Sequence, residues 1–340
     1  MRRVTIKDIA KIAGVSYATV SRALSGSPEI SEETRIRIVE ICRREGYRAN
    51  TLARSLICNK TNVIGLIIPE VTNPYYAEIA FGIERSARGQ GYNVMLCNSG
   101  YEDAHVDELF DFLVGHQVDG IILANSRNEA CDWASRYLRT IPTVLLGDAV
   151  TGGTSEPDRL GTVSIDNRAG GRMGAEYLQR LGHTDILYAG VRPNSITHQL
   201  RAQGYRDAME HARLCAKIAE NPGGSSSIEH GYELGKQLFT RKRDYTAIFA
   251  ATDTLALGLM QAAEECGVSI PGELSLLGFD NISYSALPRI TLSTIDQRKA
   301  LLADTAVRIL LDTIAQPEQQ QYHKCLVPPT LIERHSCRTR

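Results

Sequence analysis

Five side chains between positions 17 and 22 have the types and spacing that read DNA bases. They are small, polar or basic, and helical spacing turns several of them to one side: Tyr17, Ala18, Thr19, Ser21 and Arg22. An arginine matches the acceptor edge of guanine, and small side chains suit the methyl group of thymine. The stretch therefore indicates contact with base pairs in the major groove of DNA.

Two short helices joined by a tight turn would position these side chains. Thr5 can cap the first helix, with Asp8 three residues on as in a capping box. Gly14 can end that helix in the left-handed conformation, and Ser16 can cap the second helix. A helical hairpin buried in a core is the alternative, but the outward polar residues argue against it. The pattern predicts a helix-turn-helix, with Thr5 and Ser16 added to the DNA-binding set.

The charge distribution separates a basic N-terminal segment from a mildly acidic remainder of the chain. The 340 residues carry a formal net charge of -1, yet residues 1–60 hold 12 Lys and Arg against 6 Asp and Glu. A basic N-terminal segment suits a partner rich in phosphates. No apolar run is long enough to cross a membrane, and the start MRRVTIKD lacks an apolar signal core. We therefore expect a cytoplasmic protein without membrane contact.

Residues 48–60 connect a three-helix headpiece over residues 1–47 to the rest of the chain. Asn50 can cap a short helix in this segment, but a helix of this length is unstable alone in water. A disordered linker is therefore the default expectation for the free protein. The alternative is a hinge that folds when two copies meet on DNA. Ala53 would then pack between the copies, and Leu56 would be an apolar wedge in the minor groove.

The remainder of the chain alternates strand candidates with helix-period segments. The strand candidates are Val63–Pro69, Tyr92–Asn98, Gly120–Ala124, Val144–Gly147, Asp185–Ala189, Ala247–Ala251 and Ser275–Phe279. This alternation predicts an α/β core of parallel sheets with helices on both faces. The number of strands predicts two lobes within 61–340, about 61–160 with 291–320 and about 161–290 with 321–340. Ligands bind beyond the carboxyl ends of such strands, so facing lobes would enclose a ligand cleft.

Ordered motifs along nearly the whole chain resemble the lactose-repressor/galactose-repressor (LacI/GalR) family of bacterial transcription regulators. The motifs are TIKDIAKIAGVSYATVSRAL, EGYRANTLARSL, IIPEVTNPYYAEIAFGIE, DGIIL, SIDN, LGH, ATDTLALG and LGFDN. The resemblance implies a DNA-binding headpiece, a hinge helix and a core like that of periplasmic sugar-binding proteins. It also implies a homodimer on a pseudo-palindromic operator, controlled by a small molecule in the cleft.

Through this resemblance, nine side chains of the core are candidates for contact with the effector. They are Asn73, Tyr75, Tyr76, Asn125 and Asp148 in the first lobe, and Arg201, Thr252, Asp253 and Asp280 in the second. Family members use the loop that carries the first three residues, and Arg201 matches a basic residue that reaches the effector. Carboxylates, amides and a guanidinium pair with sugar hydroxyls. A helix cap or a structural ion pair is the alternative for each carboxylate, above all for Asp253, which opens a helix.

The run Gly223–Ser227 departs from the family pattern. Many relatives carry an aromatic side chain there that stacks on the ligand, whereas this run is small and polar. The departure argues against a purine or an aryl ligand. We therefore expect a repressor that senses a sugar or a sugar derivative, because ligand binding would change the lobe orientation and hence the spacing of the two hinges.

Other functions fit the sequence less well. A sugar-binding transport protein would share the core, but it predicts a signal peptide and no headpiece. A regulator controlled by a phosphorylated carrier protein would contact it near the hinge end of the core, where Arg298, Lys299 and Arg308 lie, although such charges are also ordinary on a solvated helix face. No nucleophile–base set, metal motif or phosphate-cradling glycine loop indicates an enzyme, and we expect no cofactor and no metal.

Overall fold

The chain forms two compact units, Met1–Thr61 and Asn62–Arg340. The computed structural model describes residues 4–24, 27–47, 60–100, 105–125, 134, 136–137, 140–148, 160–221, 226–316 and 324–340. The predicted hinge residues Asn50, Ala53 and Leu56 lie outside the described residues. None of the described helices is long and apolar enough to span a membrane.

The first unit contains the helices α1 (Ile6–Ala13), α2 (Tyr17–Leu24) and α3 (Glu32–Arg44). The Thr5 hydroxyl accepts a hydrogen bond from the Asp8 N–H, and the Asp8 carboxylate accepts one from the Thr5 N–H at 2.9 Å, as in the predicted capping box. Gly14 ends α1 at φ 65°, a conformation that glycine adopts without steric cost. The Ser16 hydroxyl accepts a hydrogen bond from the Thr19 N–H at 3.1 Å, so it caps α2.

A small apolar core joins these three helices. Each helix contributes one large side chain that is fully buried: Ile9, Val20 and Ile38. Ala13 and Ala23 are also buried, and their small side chains let the helices approach closely. A core of this size stabilises a short domain only modestly. The core leaves the other face of α2 exposed.

The second unit contains, within the described residues, two sheets of six strands. The first sheet consists of β1 (Val63–Ile68), β2 (Asn93–Asn98), β3 (Gly120–Ala124), β4 (Thr143–Leu146), β5 (Gly161–Ile165) and β11 (Lys324–Val327). The second consists of β6 (Ile186–Val191), β7 (Lys217–Glu220), β8 (Ala247–Ala250), β9 (Ser275–Asp280), β10 (Ser293–Asp296) and β12 (Thr330–Ile332). The strand orders are β11-β5-β4-β3-β1-β2 and β12-β10-β9-β8-β6-β7. All pairs are parallel except that between β10 and β12.

Helices cover both faces of each sheet, as the strand–helix alternation predicts. The first sheet lies between α4 (Pro74–Gly89) and α10 (Lys299–Ala315) on one face and α5 (Val106–Gly115) on the other. The second lies between α6 (Asn167–Arg180) and α7 (Ile196–His211) on one face and α8 (Ile228–Phe239) and α9 (Asp253–Glu265) on the other. The predicted α/β fold class is confirmed, and each sheet with its helices is one lobe.

The predicted lobe boundaries are wrong for three strands. β5 and β11 were expected in the second lobe but extend the first sheet, and β10 was expected in the first lobe but extends the second. The chain therefore crosses between the lobes at 165–167, 296–299 and 327–330. Core packing explains these assignments, because Val163 is fully buried in the first lobe and Ile295 in the second.

Two glycines allow α6 and α7 to cross at very short distance. A Cβ atom on Gly171 would lie 1.9 Å from the carbonyl oxygen of Arg201, and a Cβ atom on Gly204 would lie 1.9 Å from that of Arg168. Any other residue at either position would push the helices apart. The crossing therefore sets the position of the Arg201 backbone relative to the start of α6.

Candidate functional site: an interlobe cavity and an exposed helix face

A cavity between the two lobes of the second unit gathers most of the predicted effector residues. It has an empty volume of about 690 Å³, counted with its open mouth. Eight of the nine predicted residues line it: Asn73, Tyr75, Tyr76, Asn125, Asp148, Arg201, Thr252 and Asp280. The cavity lies at the carboxyl ends of strands from both sheets, where ligands of parallel sheets bind.

Two first-lobe residues reach the cavity because they directly follow neighbouring strands. Asn125 follows β3, and Asp148 lies two residues after β4. Gly147 allows these strand ends to approach, since a Cβ atom there would lie 2.1 Å from the carbonyl oxygen of Asn125. The strand ends that carry Asn125 and Asp148 are therefore close together in the wall of the first lobe.

The first turn of α4 contributes two tyrosines, and this corrects the predicted loop. The Asn73 side chain accepts a hydrogen bond from the Tyr75 N–H at 3.0 Å, and Pro74 occupies the first helical position. Tyr75 and Tyr76 therefore belong to the helix, with ring centroids 5.1 Å apart in an edge-to-face arrangement. The Tyr75 hydroxyl donates a hydrogen bond to Gln297 Oε1 at 3.1 Å, and burial raises the pKa of Tyr75.

Asp148 is a buried carboxylate that connects the two lobes. Its Oδ2 atom accepts hydrogen bonds from Asn167 Nδ2 and from Thr197 Oγ1, both at 2.8 Å. Asn167 begins α6 and Thr197 lies on α7, both in the second lobe, so both bonds join the two lobes. Burial raises the pKa of Asp148, while the Thr197 hydroxyl and the Arg201 charge act in the opposite direction.

The Arg201 guanidinium is buried in the cavity wall and fixed on several sides. Its Nε atom donates to Asn167 Oδ1 at 2.8 Å. Its Nη1 atom donates to the Ala251 carbonyl oxygen at 2.7 Å and lies 3.3 Å from Asp280 Oδ1. The guanidinium carbon is 3.7 Å from the centroid of the Phe279 ring, a cation–π contact. These contacts leave Arg201 little conformational freedom to lose when a ligand binds.

Asp280 ends β9 in an unusual backbone conformation. Its φ is 118° and that of Asn281 is 50°, both in the region that residues with side chains rarely adopt. Gln297 Nε2 donates to Asp280 Oδ1, and Lys299 Nζ donates to the Asp280 carbonyl oxygen at 2.5 Å. Burial raises the pKa of Asp280, and the Arg201 charge opposes this effect. The surrounding contacts thus hold the Asp280 carboxylate at the cavity wall on a strained backbone.

Asp253 lies outside the cavity wall, contrary to the prediction. The side chain is fully buried at the start of α9, and its carboxylate accepts three hydrogen bonds. The donors are the Ile282 N–H at 3.0 Å, the Ser285 hydroxyl at 2.7 Å and the Thr294 hydroxyl at 2.6 Å. Burial raises the pKa of Asp253 to about 7, with a smaller contribution from the Asp280 charge. Asp253 therefore joins the start of α9 to Ile282, Ser285 and Thr294, a structural role different from the helix cap or ion pair considered for it.

The cavity wall also contains polar residues that the sequence analysis missed. They are Ser164, Asn167, Arg192, Thr197, His198, Ser226 and Gln297. Ser164 and Asn167 belong to the SIDN motif, and Thr197 precedes Arg201 by four residues, which is one helical turn. These signals could have identified three of them. Gln297 lies at a lobe crossing, and no sequence pattern indicates it.

His198 is a neutral ring in this wall. Its Nδ1 atom lies 3.3 Å from the Gly190 carbonyl oxygen, which can only accept, so Nδ1 carries the proton. Burial lowers the pKa of His198 well below its usual value, and the positive charges of Arg192 and Arg201 lower it further. The second ring nitrogen is therefore a hydrogen-bond acceptor.

The predicted DNA-binding residues of the first unit lie on and around α2. Ser21 and Arg22 are exposed, Tyr17 is 63% exposed despite its size, and Ala18 and Thr19 are half-buried. The Arg22 guanidinium lies 3.2 Å from the Glu29 carboxylate, and both side chains are largely in solvent. The Thr5 and Ser16 hydroxyls are used as helix caps, as described above. The face of α2 away from the core is therefore accessible to a partner.

Comparison with known proteins gives a consistent assignment for both units. Residues 5–50 match the family of bacterial regulatory proteins named after lacI, and residues 175–337 match the periplasmic binding protein-like domain. The lac repressor dimer bound to operator and the anti-inducer ONPF has a TM-score of 0.86 at 24% identity, over 98% of this chain and 99% of that chain. A LacI family transcriptional regulator from Enterococcus faecium with bound ribose has a TM-score of 0.71 at 26% identity, over 82% and 99%.

A curated relative extends the likeness along the full chain. The ribose operon repressor of Escherichia coli (strain K12) is 30% identical over 334 residues, which is 98% of this chain and 99% of that protein. An identity of this size over nearly the whole of both proteins is not limited to one motif or one domain. The chain therefore belongs to the lacI family of bacterial regulatory proteins, as its ordered motifs predict.

Proposed function

We propose that this protein represses transcription as a homodimer on a pseudo-palindromic operator, and that a sugar in the interlobe cavity sets its operator affinity. The family membership supports DNA-binding regulation. The names of a ribose operon repressor and of a ribose-bound regulator among its relatives support a sugar as the effector. The repressors among these relatives also support a role in regulation rather than catalysis.

The chemistry of the cavity wall is the observation that carries the sugar assignment. The wall contains two carboxyl side chains, Asp148 and Asp280, and two guanidinium groups, Arg192 and Arg201, so its formal charges balance. A balanced wall favours a neutral ligand, because a net charge would be desolvated without a partner. Sugar hydroxyls both donate and accept, which suits a wall of carboxylates, amides and hydroxyls. Asn73, Tyr75, Tyr76, Asn125 and Thr252 complete the proposed effector site, and Asp253 is excluded from it.

The exposed face of α2 is the proposed base-reading surface. Tyr17, Ala18 and Arg22 would contact base edges, with Thr19 and Ser21 beside them. Thr5 and Ser16 would act through their caps, which order the amino ends of α1 and α2 so that backbone N–H groups can meet phosphates. Phosphate contacts would set the register, and the α2 side chains would set the sequence preference.

The segment 48–60 would transmit the state of the cavity to the headpiece. Asn50 would start a short helix, Ala53 would pack against the second copy, and Leu56 would enter the minor groove. Ligand binding would change the lobe orientation and thereby the distance between the two hinges. Operator affinity would change because paired wedges need one defined spacing on DNA.

A phosphorylated carrier protein gains little support as the effector. It would require a cluster of available cations near residue 298. Lys299 is engaged within the core, since its Nζ atom lies 3.3 Å from the Glu78 carboxylate and donates to two carbonyl oxygens. Arg298 and Arg308 are exposed, as charged residues on a helix surface commonly are.

The test combines thermal unfolding with DNA selection on the full chain. We expect D-ribose, D-xylose, D-galactose or cellobiose to raise the melting temperature, because a ligand at 100 times its Kd stabilises the folded state by about 2.7 kcal/mol. The same sugar should change affinity for a selected operator with two inverted half-sites at least tenfold. Absence of stabilisation by every sugar would contradict sugar sensing. Selected DNA without inverted half-sites would contradict the dimeric operator complex.

A further inference from the structure

Two charged side chains of the first lobe hold a turn of the second lobe. Lys299 opens α10, and its Nζ atom lies 3.3 Å from an oxygen of the Glu78 carboxylate on α4. The same ammonium donates to the carbonyl oxygen of Asp280 at 2.5 Å and to that of Asn281 at 2.7 Å, both in the second lobe. The other Glu78 oxygen accepts from the Ser283 N–H at 2.8 Å. We refer to these contacts of Glu78 and Lys299 as the interlobe clamp.

The cation of the interlobe clamp is surrounded by oxygen atoms. An ammonium group carries three N–H donors, and three oxygen atoms lie around that of Lys299, one from a carboxylate and two from carbonyl groups. The side chain is only 10% exposed, and burial of a charge is costly unless the charge is paired and hydrogen-bonded. The Lys299 ammonium is therefore fixed against both lobes at once.

The turn held by the clamp includes the strained backbone of a proposed effector contact. The φ angles of Asp280 and Asn281 are 118° and 50°. In an extended strand successive carbonyl groups point to opposite sides, whereas these two point to the same ammonium. Such conformations persist where surrounding contacts enforce them, and they are typical of ligand clamps and switch regions. Lys299 contributes to this enforcement from the first lobe.

Other contacts of the turn come from its own lobe. The Thr294 hydroxyl accepts from the Asn281 N–H at 3.3 Å, and the Asp253 carboxylate accepts from the Ile282 N–H at 3.0 Å. The Arg334 guanidinium donates to Asn281 Oδ1 at 2.7 Å. These contacts would move with the turn if the lobes changed their relative orientation, whereas those of the clamp would not. The clamp therefore ties the backbone of the turn to the orientation of the lobes.

We propose that Glu78 and Lys299 are positioning residues, which hold the Asp280 backbone in its ligand-binding conformation while the lobes keep the orientation seen here. The inference rests on the proposed sugar-sensing function and specifies how effector affinity depends on lobe orientation. A reorientation that separates α4 from the turn removes the clamp and lets the strained backbone relax. A sugar bound to Asp280 in turn favours the clamped orientation, because linkage is reciprocal.

The experiment compares the full chain with Lys299→Met and Glu78→Gln by titration calorimetry with D-ribose, D-xylose, D-galactose and cellobiose. Each substitution removes one charge of the clamp and keeps a side chain of similar length. We expect both variants to bind the responding sugar about tenfold more weakly, because the binding-competent conformation becomes a minor population. Glu84→Gln is the matched control and should bind like the wild-type chain, since Glu84 lies on the same helix and pairs with Arg88 of that helix at 2.6 Å.

Operator binding separates positioning from simple stabilisation. Without sugar, the operator affinity of both clamp variants should shift in the direction opposite to the shift that the sugar produces in the wild-type chain, because the variants depopulate the orientation that the sugar favours. A charge exchange, Glu78→Lys with Lys299→Glu, restores an ion pair but places a carboxylate against the two carbonyl oxygens. We expect the exchanged variant to remain defective in sugar binding.

Several outcomes would overturn the inference. Wild-type sugar affinity in Lys299→Met and Glu78→Gln would do so and leave sugar sensing intact, even if their melting temperatures fell. Recovery of sugar affinity after the charge exchange would show that an ion pair alone is sufficient. A shift of operator affinity in the same direction as that produced by the sugar would exclude the coupling. Absence of binding of all four sugars to the wild-type chain would overturn sugar sensing, and the inference with it.

Discussion

Thr197 of the second lobe donates a 2.8 Å hydrogen bond to Asp148 of the first lobe, within the cavity that both residues line. The same carboxylate oxygen accepts from Asn167, which lies at the first crossing between the lobes. The relative position of the lobes and the hydrogen bonding of a proposed ligand contact therefore depend on one another. A ligand hydroxyl that binds Asp148 would act directly on the atoms that hold the lobes together.

Thr197→Val should weaken the connection between the lobes. The substitution keeps the shape of the side chain but leaves the buried Asp148 carboxylate with one donor fewer, at a cost of about 1–3 kcal/mol. We expect a lower melting temperature and a reduced stabilisation by the bound sugar, both measured by thermal unfolding. Thr240→Val removes an exposed hydroxyl at the end of α8 and is the control. Equal behaviour of the two variants would contradict the role of Thr197.

Arg201→Lys and Asp280→Asn should abolish the response to the sugar. A lysine cannot reproduce the fork that reaches Asn167, Ala251 and Asp280, and the asparagine removes the charge that faces the guanidinium. Operator binding should persist, because the helix-turn-helix belongs to the other compact unit. Gel shifts with and without the sugar measure both properties. Loss of operator binding with unchanged sugar affinity would show that these residues do not serve the cavity.

Arg22→Ala should weaken operator binding and relax specificity at one base pair of each half-site. A good base contact contributes about 1–3 kcal/mol of discrimination. Glu29→Gln should act in the opposite direction, because it releases Arg22 from a solvent-exposed ion pair and removes a negative charge near DNA. Fluorescence anisotropy on operator and on random DNA distinguishes the roles. Equal losses on both DNAs in Arg22→Ala would indicate a phosphate contact instead.

Leu56→Ser should weaken operator binding and reduce the bend of the operator. The wedge proposed for Leu56 would unstack a central base step at a cost of a few kcal/mol, offset by contacts that bent DNA permits. A serine cannot replace its apolar contact with the bases. Circular-permutation gel shifts measure the bend, and sugar affinity should remain unchanged. An unaltered bend together with unaltered affinity would mean that the segment is only a tether.

Asp253→Asn should remove a pH dependence of stability. The pKa of Asp253 is about 7 in the folded chain, above its value of about 3.9 in an unfolded chain. Between these values the unfolded chain releases a proton that the folded chain retains, so the wild-type protein loses stability as the pH rises. The difference in free energy of unfolding between the wild-type chain and Asp253→Asn should therefore decrease between pH 4.5 and 7.5, as measured by urea unfolding. Asp304→Asn, at an exposed position, is the control; a difference that is constant or grows with pH would contradict the assignment.

The sequence predicted cavity residues that follow strands and several that match a family motif, although Ser164 and Asn167 of the SIDN motif were missed. Asn125 and Asp148 were found because parallel strands end at one edge. The same rule failed for Asp253, since the direction of a side chain at the start of a helix depends on its packing. Thr197 and Gln297 approach the cavity through the crossing of α7 and the return of the chain between the lobes. Such contacts depend on tertiary geometry that periodicity does not encode.

Strand–helix alternation predicted the fold class, but it did not predict the strands at and next to the edges of the sheets. Five strands were missed: β7, β11 and β12 at the sheet edges, and β5 and β10 beside the edge strands β11 and β12. All five are short, and β7 and β11 contain lysine. Their segments lack the continuous apolar run that marks a buried central strand. Because β5 belongs to the first sheet and β10 to the second, the predicted lobe boundaries near residues 161 and 291 were wrong.

The late edge strands have a consequence for synthesis on the ribosome. β11 and β12, within residues 324–332, complete the first and the second sheet respectively. The headpiece emerges from the ribosome with the first 47 residues, about 15–60 s earlier at usual elongation rates. A message truncated before residue 324 would therefore yield a DNA-binding headpiece joined to a core with two unpaired sheet edges, which promote aggregation. A nonsense mutation just before codon 324 would thus damage both lobes of the effector core at once.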